Sequence, residues 1–195
     1  MKRYTTIIAV VLAALAYGPV ANAAVVVYST LLTGLGEVPP NLSPGHGSAV
    51  VIVDDVANTM SVHVDFADLV GITTASHIHC CTAVPDAGTA GVATQTPSFI
   101  GFPLGVSSGT YDHLFDLLDT TTYNAGFITD SGGTVALAEA RLLSRMALGE
   151  TYLNVHTNSF PGGEIRGFLH VPEPASLALV GLGLAGLGFS RRKRV

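Results

Sequence analysis

The sequence predicts an all-β fold: an antiparallel β-sandwich of about seven strands, with one short helix and one long loop. Three observations carry this. Met60, Val62, Val64 and Phe66 alternate with Ser61, His63 and Asp65, the period-two pattern of a strand buried on one face. Short β-branched runs recur between Gly, Pro and Asn residues that favour turns. A single stretch shows helical spacing.

In chain order, residues 1–23 have the layout of a secretory signal peptide. Lys2 and Arg3 form a positive start, Ile7 to Ala16 an apolar stretch, and Ala21-Asn22-Ala23 a cleavage site at the small residues Ala21 and Ala23. The working domain then spans residues 24–170. Its strands are expected at Val25–Leu32, Ser48–Val53, Asn58–Leu69, Ile72–His79, Thr110–Leu117, Thr151–Thr157 and Glu164–Val171. Asp55 to Asn58 is expected to turn one hairpin and Pro161-Gly162-Gly163 another, because Pro presets φ and Gly accepts positive φ. Pro85–Gly109 is rich in Gly, Pro, Ser and Thr without a period and reads as an exposed loop, the expected contact region. Thr134–Leu148 places Val135, Ala138, Leu142 and Met146 at helical spacing, with Thr134 as N-cap and Arg141 and Arg145 toward the negative end of the dipole.

Residues 171–195 form a tail. Val171-Pro172-Glu173-Pro174 precedes an apolar run from Ala175 to Ser190, expected to be a hydrophobic helix, and then Arg191-Arg192-Lys193-Arg194. About 16 apolar residues fall just short of a comfortable span, and the basic end stays cytoplasmic. The three parts resemble a PEP-CTERM sorting signal. That resemblance implies a Gram-negative bacterium, transient anchoring in the inner membrane, recognition by an exosortase-type enzyme, and delivery to the cell surface or the extracellular space. It also implies exopolysaccharide or surface proteins as partners.

Composition narrows the function. The chain is 48% hydrophobic and only 12% charged, against roughly 25% charged in ordinary soluble domains, which excludes disorder. Between Ala24 and Val171 three basic residues (Arg141, Arg145, Arg166) face thirteen acidic ones, a net charge of −10. Such a surface cannot track phosphates, so nucleic acid is excluded as a partner. No nucleophile elbow, zincin helix or phosphate loop occurs. Ser61, His63 and Asp65 have triad residue types, but at alternate positions of one strand their spacing of about 6.6 Å is too wide for a relay. The expectation is a non-enzymatic domain with a binding or structural role.

Three segments stand out: Gly34-Leu35-Gly36-Glu37-Val38-Pro39-Pro40, His77-Ile78-His79, and Asn154-Val155-His156-Thr157 with Phe160-Pro161-Gly162-Gly163-Glu164-Ile165-Arg166-Gly167. Together they resemble the CHRD domain, which implies a β-rich extracellular domain without established catalysis.

The same residues carry chemistry. His77 and His79 leave one face of a strand, and His156 lies on another strand. If brought together, the three imidazoles suit copper or zinc. The alternative is that they cap buried backbone groups. Cys80 and Cys81 follow directly, and in an oxidising compartment they form a vicinal disulfide, join the histidines as thiolate ligands, or bridge to another chain. Glu164 and Arg166 share a strand face and are expected to pair, with Glu37 completing a structural ion-pair cluster. An anionic sugar is the alternative partner of Arg166.

Overall fold

The computed structural model describes residues 25–172. The cleavage site at Ala21 and Ala23, the tail from Glu173 through Pro174 to Arg191, Arg192, Lys193 and Arg194, and the expected tail helix lie outside the described residues. Among the described residues no helix is long and apolar enough to cross a membrane.

Seven antiparallel strands form one continuous curled sheet: β1 Val26–Thr33, β2 His46–Asp54, β3 Thr59–Ala67, β4 Thr73–Cys80, β5 Gly109–Asp116, β6 Thr151–Thr157 and β7 Ile165–Phe168, in the order β4-β6-β7-β1-β2-β3-β5. Two helices, α1 Ala125–Asp130 and α2 Val135–Ala147, lie between β5 and β6.

Alternation decides which face goes inward. Val51, Val53, Met60, Val62, Val64, Tyr111 and Phe115 from one half join Ile78, Leu153, Val155 and Ile165 from the other in a single core. Sandwich-like burial thus comes from one sheet folded over itself. The β2–β3 turn is closed by the Asp54 side chain, which accepts from the amides of Val56 and Ala57. Asn58 there takes φ +52°, a conformation Asn tolerates. Helix α2 starts at its expected cap, with Thr134 Oγ1 accepting from the Leu137 amide. Ala138, Leu142 and Met146 face the core.

The long loop is present and largely exposed, as expected, and it does more than offer a surface. Strand β4 is an edge strand, and the loop supplies what that edge lacks. The Cys80 amide donates to Gly91 O, Ala93 to Ile78 O, Phe99 to Ser76 O and Thr73 to Val106 O. Ala93, Phe99 and Phe102 are buried in the core, and Phe99 packs on Tyr111 and Phe115 of the opposite edge strand β5. Edges left bare invite further pairing. Here the loop covers one edge and ties it to the other, so much of its backbone is occupied rather than offered to a partner.

Candidate metal centre

Strands β4 and β6 pair with His77 opposite Asn154, His79 opposite Tyr152 and Ala75 opposite His156. On β7, Arg166 lies opposite Asn154 and Phe168 opposite Tyr152. These residues therefore share the outer face, while Ile78, between the two histidines, and Cys80, after them, point to the core. His156 sits diagonally across from His77, within reach of a long side chain, and the small Ala75 opposite it leaves room for the ring.

The three imidazoles meet. Their ring centres are 5.7 Å apart for His77–His79, 5.2 Å for His77–His156 and 6.1 Å for His79–His156. One nitrogen from each lies within 4.8 Å of the others. The outward nitrogens all face backbone carbonyls: His77 Nε2 to Pro97 O at 2.7 Å, His79 Nδ1 to Ala90 O at 2.9 Å and His156 Nδ1 to Pro161 O at 2.9 Å. A carbonyl only accepts, so each of these nitrogens carries the proton and donates. The remaining nitrogen of each neutral ring then holds a lone pair. His77 Nδ1 and His156 Nε2 are buried with no hydrogen-bond partner. His79 Nε2 lies 3.1 Å from Asn154 Oδ1, and its lone pair is matched when the Asn154 amide is turned by half a rotation to present its NH2.

The electrostatics keep the rings neutral. Burial pulls His77 down to about 4, opposed by its bond to Pro97 and assisted by the neighbouring His156 and His79. Burial likewise lowers His79 and His156 against the opposing bonds to Ala90 and Pro161. Around the site, Tyr152 stacks on His79 with centroids 4.7 Å apart and planes 5° from parallel. The Arg166 guanidinium lies 4.3 Å above the Tyr152 ring, a cation–π contact.

The other sequence-marked residues divide. Cys80 and Cys81 form the vicinal disulfide, and the described residues contain no free cysteine. The Cys80 side chain belongs to the core face, so neither sulfur joins the histidines. Glu37 and Arg166 are brought together, with Arg166 Nε 3.9 Å from Glu37 Oε2 and both residues buried. Glu164 does not join them. It lies one residue before β7 begins, so strand alternation does not bring it to Arg166. Its Oε1 accepts from Ser43 Oγ and the Val70 amide, and its Oε2 from Thr157 Oγ1 and the Gly71 amide. Burial raises this carboxyl, but the donors outweigh it and hold it below its ordinary value. Arg166 spends its donors on Gly36 O and Gly88 O and is 3% exposed, which leaves no free face for a sugar. His63, dismissed on spacing, does reach Asp65 (2.9 Å) and also Asp112 across the sheet (2.7 Å), because side chains lean beyond the backbone spacing. No bond to Ser61 completes a triad. Of the sorting motif, Val171 and Pro172 are described and are exposed.

The carbonyls of Ala90, Pro97 and Pro161 were not legible in advance, since a backbone acceptor has no side-chain signature. The fold and site together define a β-domain with a largely buried tris-imidazole cluster on the outer face of its sheet. Residues 28–169 match the CHRD domain, and the chain belongs to that family. Residues 170–193 match the PEP-CTERM protein-sorting motif, which marks the chain for export, transient membrane anchoring and processing by an exosortase-type enzyme in a Gram-negative bacterium. No curated protein and no solved structure matches the chain.

Proposed function

We propose that this protein is an exported metal-binding protein of the cell surface or matrix, holding one copper or zinc ion on His77, His79 and His156 and acting by binding rather than by turnover. The observation that carries the reading is the shared polarity of the three rings. Each gives its outer N–H to a backbone carbonyl, the arrangement that fixes tautomer and orientation in metal-binding histidines.

Histidines serving only to cap carbonyls have no reason to converge. Here two inward nitrogens are buried without a partner, and each unsatisfied buried acceptor costs about 1–3 kcal/mol. A metal ion removes that cost. Metal–imidazole bonds of roughly 2.0–2.1 Å require the nitrogens to close by about 1 Å, a distance that small side-chain rotations cover. The depressed pKa values of the rings support the reading as well, since only neutral imidazole is a ligand.

The test is elemental analysis of protein recovered after export of the full chain, without a histidine tag. We expect about one copper or zinc per chain after challenge with either ion. The His77→Ala/His79→Ala variant, checked for native circular dichroism, should lose it. A wild-type protein that stays metal-free through both challenges overturns the proposal.

A further inference from the structure

We infer that the site is built for copper in its monovalent state in preference to any divalent ion. This deepens the metal-binding reading and rests on it. Charge favours the monovalent ion. All three donors are neutral nitrogens, and among the described residues no carboxylate or thiolate joins the cluster. Glu164 accepts from four donors on Ser43, Val70, Gly71 and Thr157, and Glu37 lies beside Arg166, outside the cluster. The two cysteine sulfurs are bonded to each other.

The charged group next to the cluster is instead a cation. The Arg166 guanidinium stacks on Tyr152, and Tyr152 stacks on His79. An ion in this place keeps its full charge, and His77 and His79 are only 6% and 8% exposed. The cost of burying an ion grows with the square of its charge, so a divalent ion meets about four times the desolvation cost of a monovalent one. Repulsion from Arg166 doubles for the divalent ion as well.

Coordination number favours it as well. Imidazole as a ligand type suits both zinc and copper, so it does not decide. Zinc completes a tetrahedron with a fourth ligand, and Cu(II) prefers a tetragonal set. Three converging nitrogens satisfy Cu(I) as they stand. Asn154 Oδ1 lies 3.1 Å from His79 Nε2, and the Ala90, Pro97 and Pro161 carbonyls are held by the outer ring nitrogens.

The experiment uses the exported protein under anaerobic conditions with ascorbate, and Cu(I) offered as its bicinchoninate complex. We expect one equivalent of Cu(I) to transfer to the protein and to stay bound through a tenfold excess of Zn²⁺. His156→Ala should weaken retention at least a hundredfold. If Zn²⁺ displaces Cu(I) stoichiometrically, or binds where Cu(I) does not, the monovalent preference is wrong while the tris-histidine site stands. If natively folded protein retains neither ion, the metal-binding reading itself is wrong.

Discussion

Glu37 shows how much a single side chain can conceal. It is buried beside Arg166, yet its Oε1 has no hydrogen-bond partner. Burial raises its pKa to about 7, against the opposing pull of Arg166 and of the Val38 amide. The unfolded chain releases this proton near its ordinary value of 4.5 while the folded chain keeps it. The stability this contributes is therefore complete below about pH 4.5 and is lost as pH rises toward 7. A shift of this size corresponds to about 3 kcal/mol. Glu37→Gln keeps the neutral shape, so its urea-unfolding stability should fall less between pH 5 and 8 than that of the wild type. An unchanged slope would show that Glu37 is not the group responsible. Gly163, at φ +131°, is required beside it, because a Cβ there would collide with the Glu37 carboxylate. Gly163→Ala is expected to destabilise through both strain and collision, measurable in the same unfolding assay.

The residue scale is also where the sequence was most informative about the site. His-x-His on a strand places two rings on one face whatever the fold, so His77 and His79 were legible from spacing alone. The meeting with His156 was not, because it depends on the β4–β6 register, which pairs Ala75 rather than His77 with His156. Glu164 misled for a related reason: one residue outside a strand, alternation no longer says where a side chain goes.

Among the elements, strands were readable and connections were not. Alternation and β-branched runs located all seven strands, and helical spacing with a Thr134 cap located α2. Thr134→Ala should remove that cap and cost about 1 kcal/mol in thermal or urea unfolding. Helix α1 escaped notice because six residues are too few to show a period. Its Asn124 cap, accepting from the Gly126 amide, reads in sequence as one more polar loop residue. The Pro85–Gly109 loop was legible as an exposed loop, but irregular backbone has no pattern to reveal its buried Phe99 and Phe102. That loop also carries the Ala90 and Pro97 carbonyls that orient two histidines. Phe99→Ala should therefore cost about 3–5 kcal/mol. It should also weaken metal retention, as measured by chelator competition, although Phe99 touches no ligand. Weakened stability with unchanged retention would separate the loop from the site.

At the scale of the whole molecule, the two faces of the curled sheet do different work. The inner face buries one continuous core, and the outer face of its β4-β6-β7 half holds the histidines. The exported part carries a net charge of −10, which draws cations toward the surface and is screened by salt. On the proposed reading, burial in the site then selects among the cations that arrive. The central claim is that three imidazoles, and no sulfur, hold one ion. X-ray absorption at the copper edge, on protein loaded with one equivalent of Cu(I), tests it most directly. The expected spectrum has about three imidazole nitrogens near 2.0 Å and no sulfur shell. A sulfur shell near 2.3 Å, or a spectrum unchanged in the His77→Ala/His79→Ala/His156→Ala variant, would contradict it.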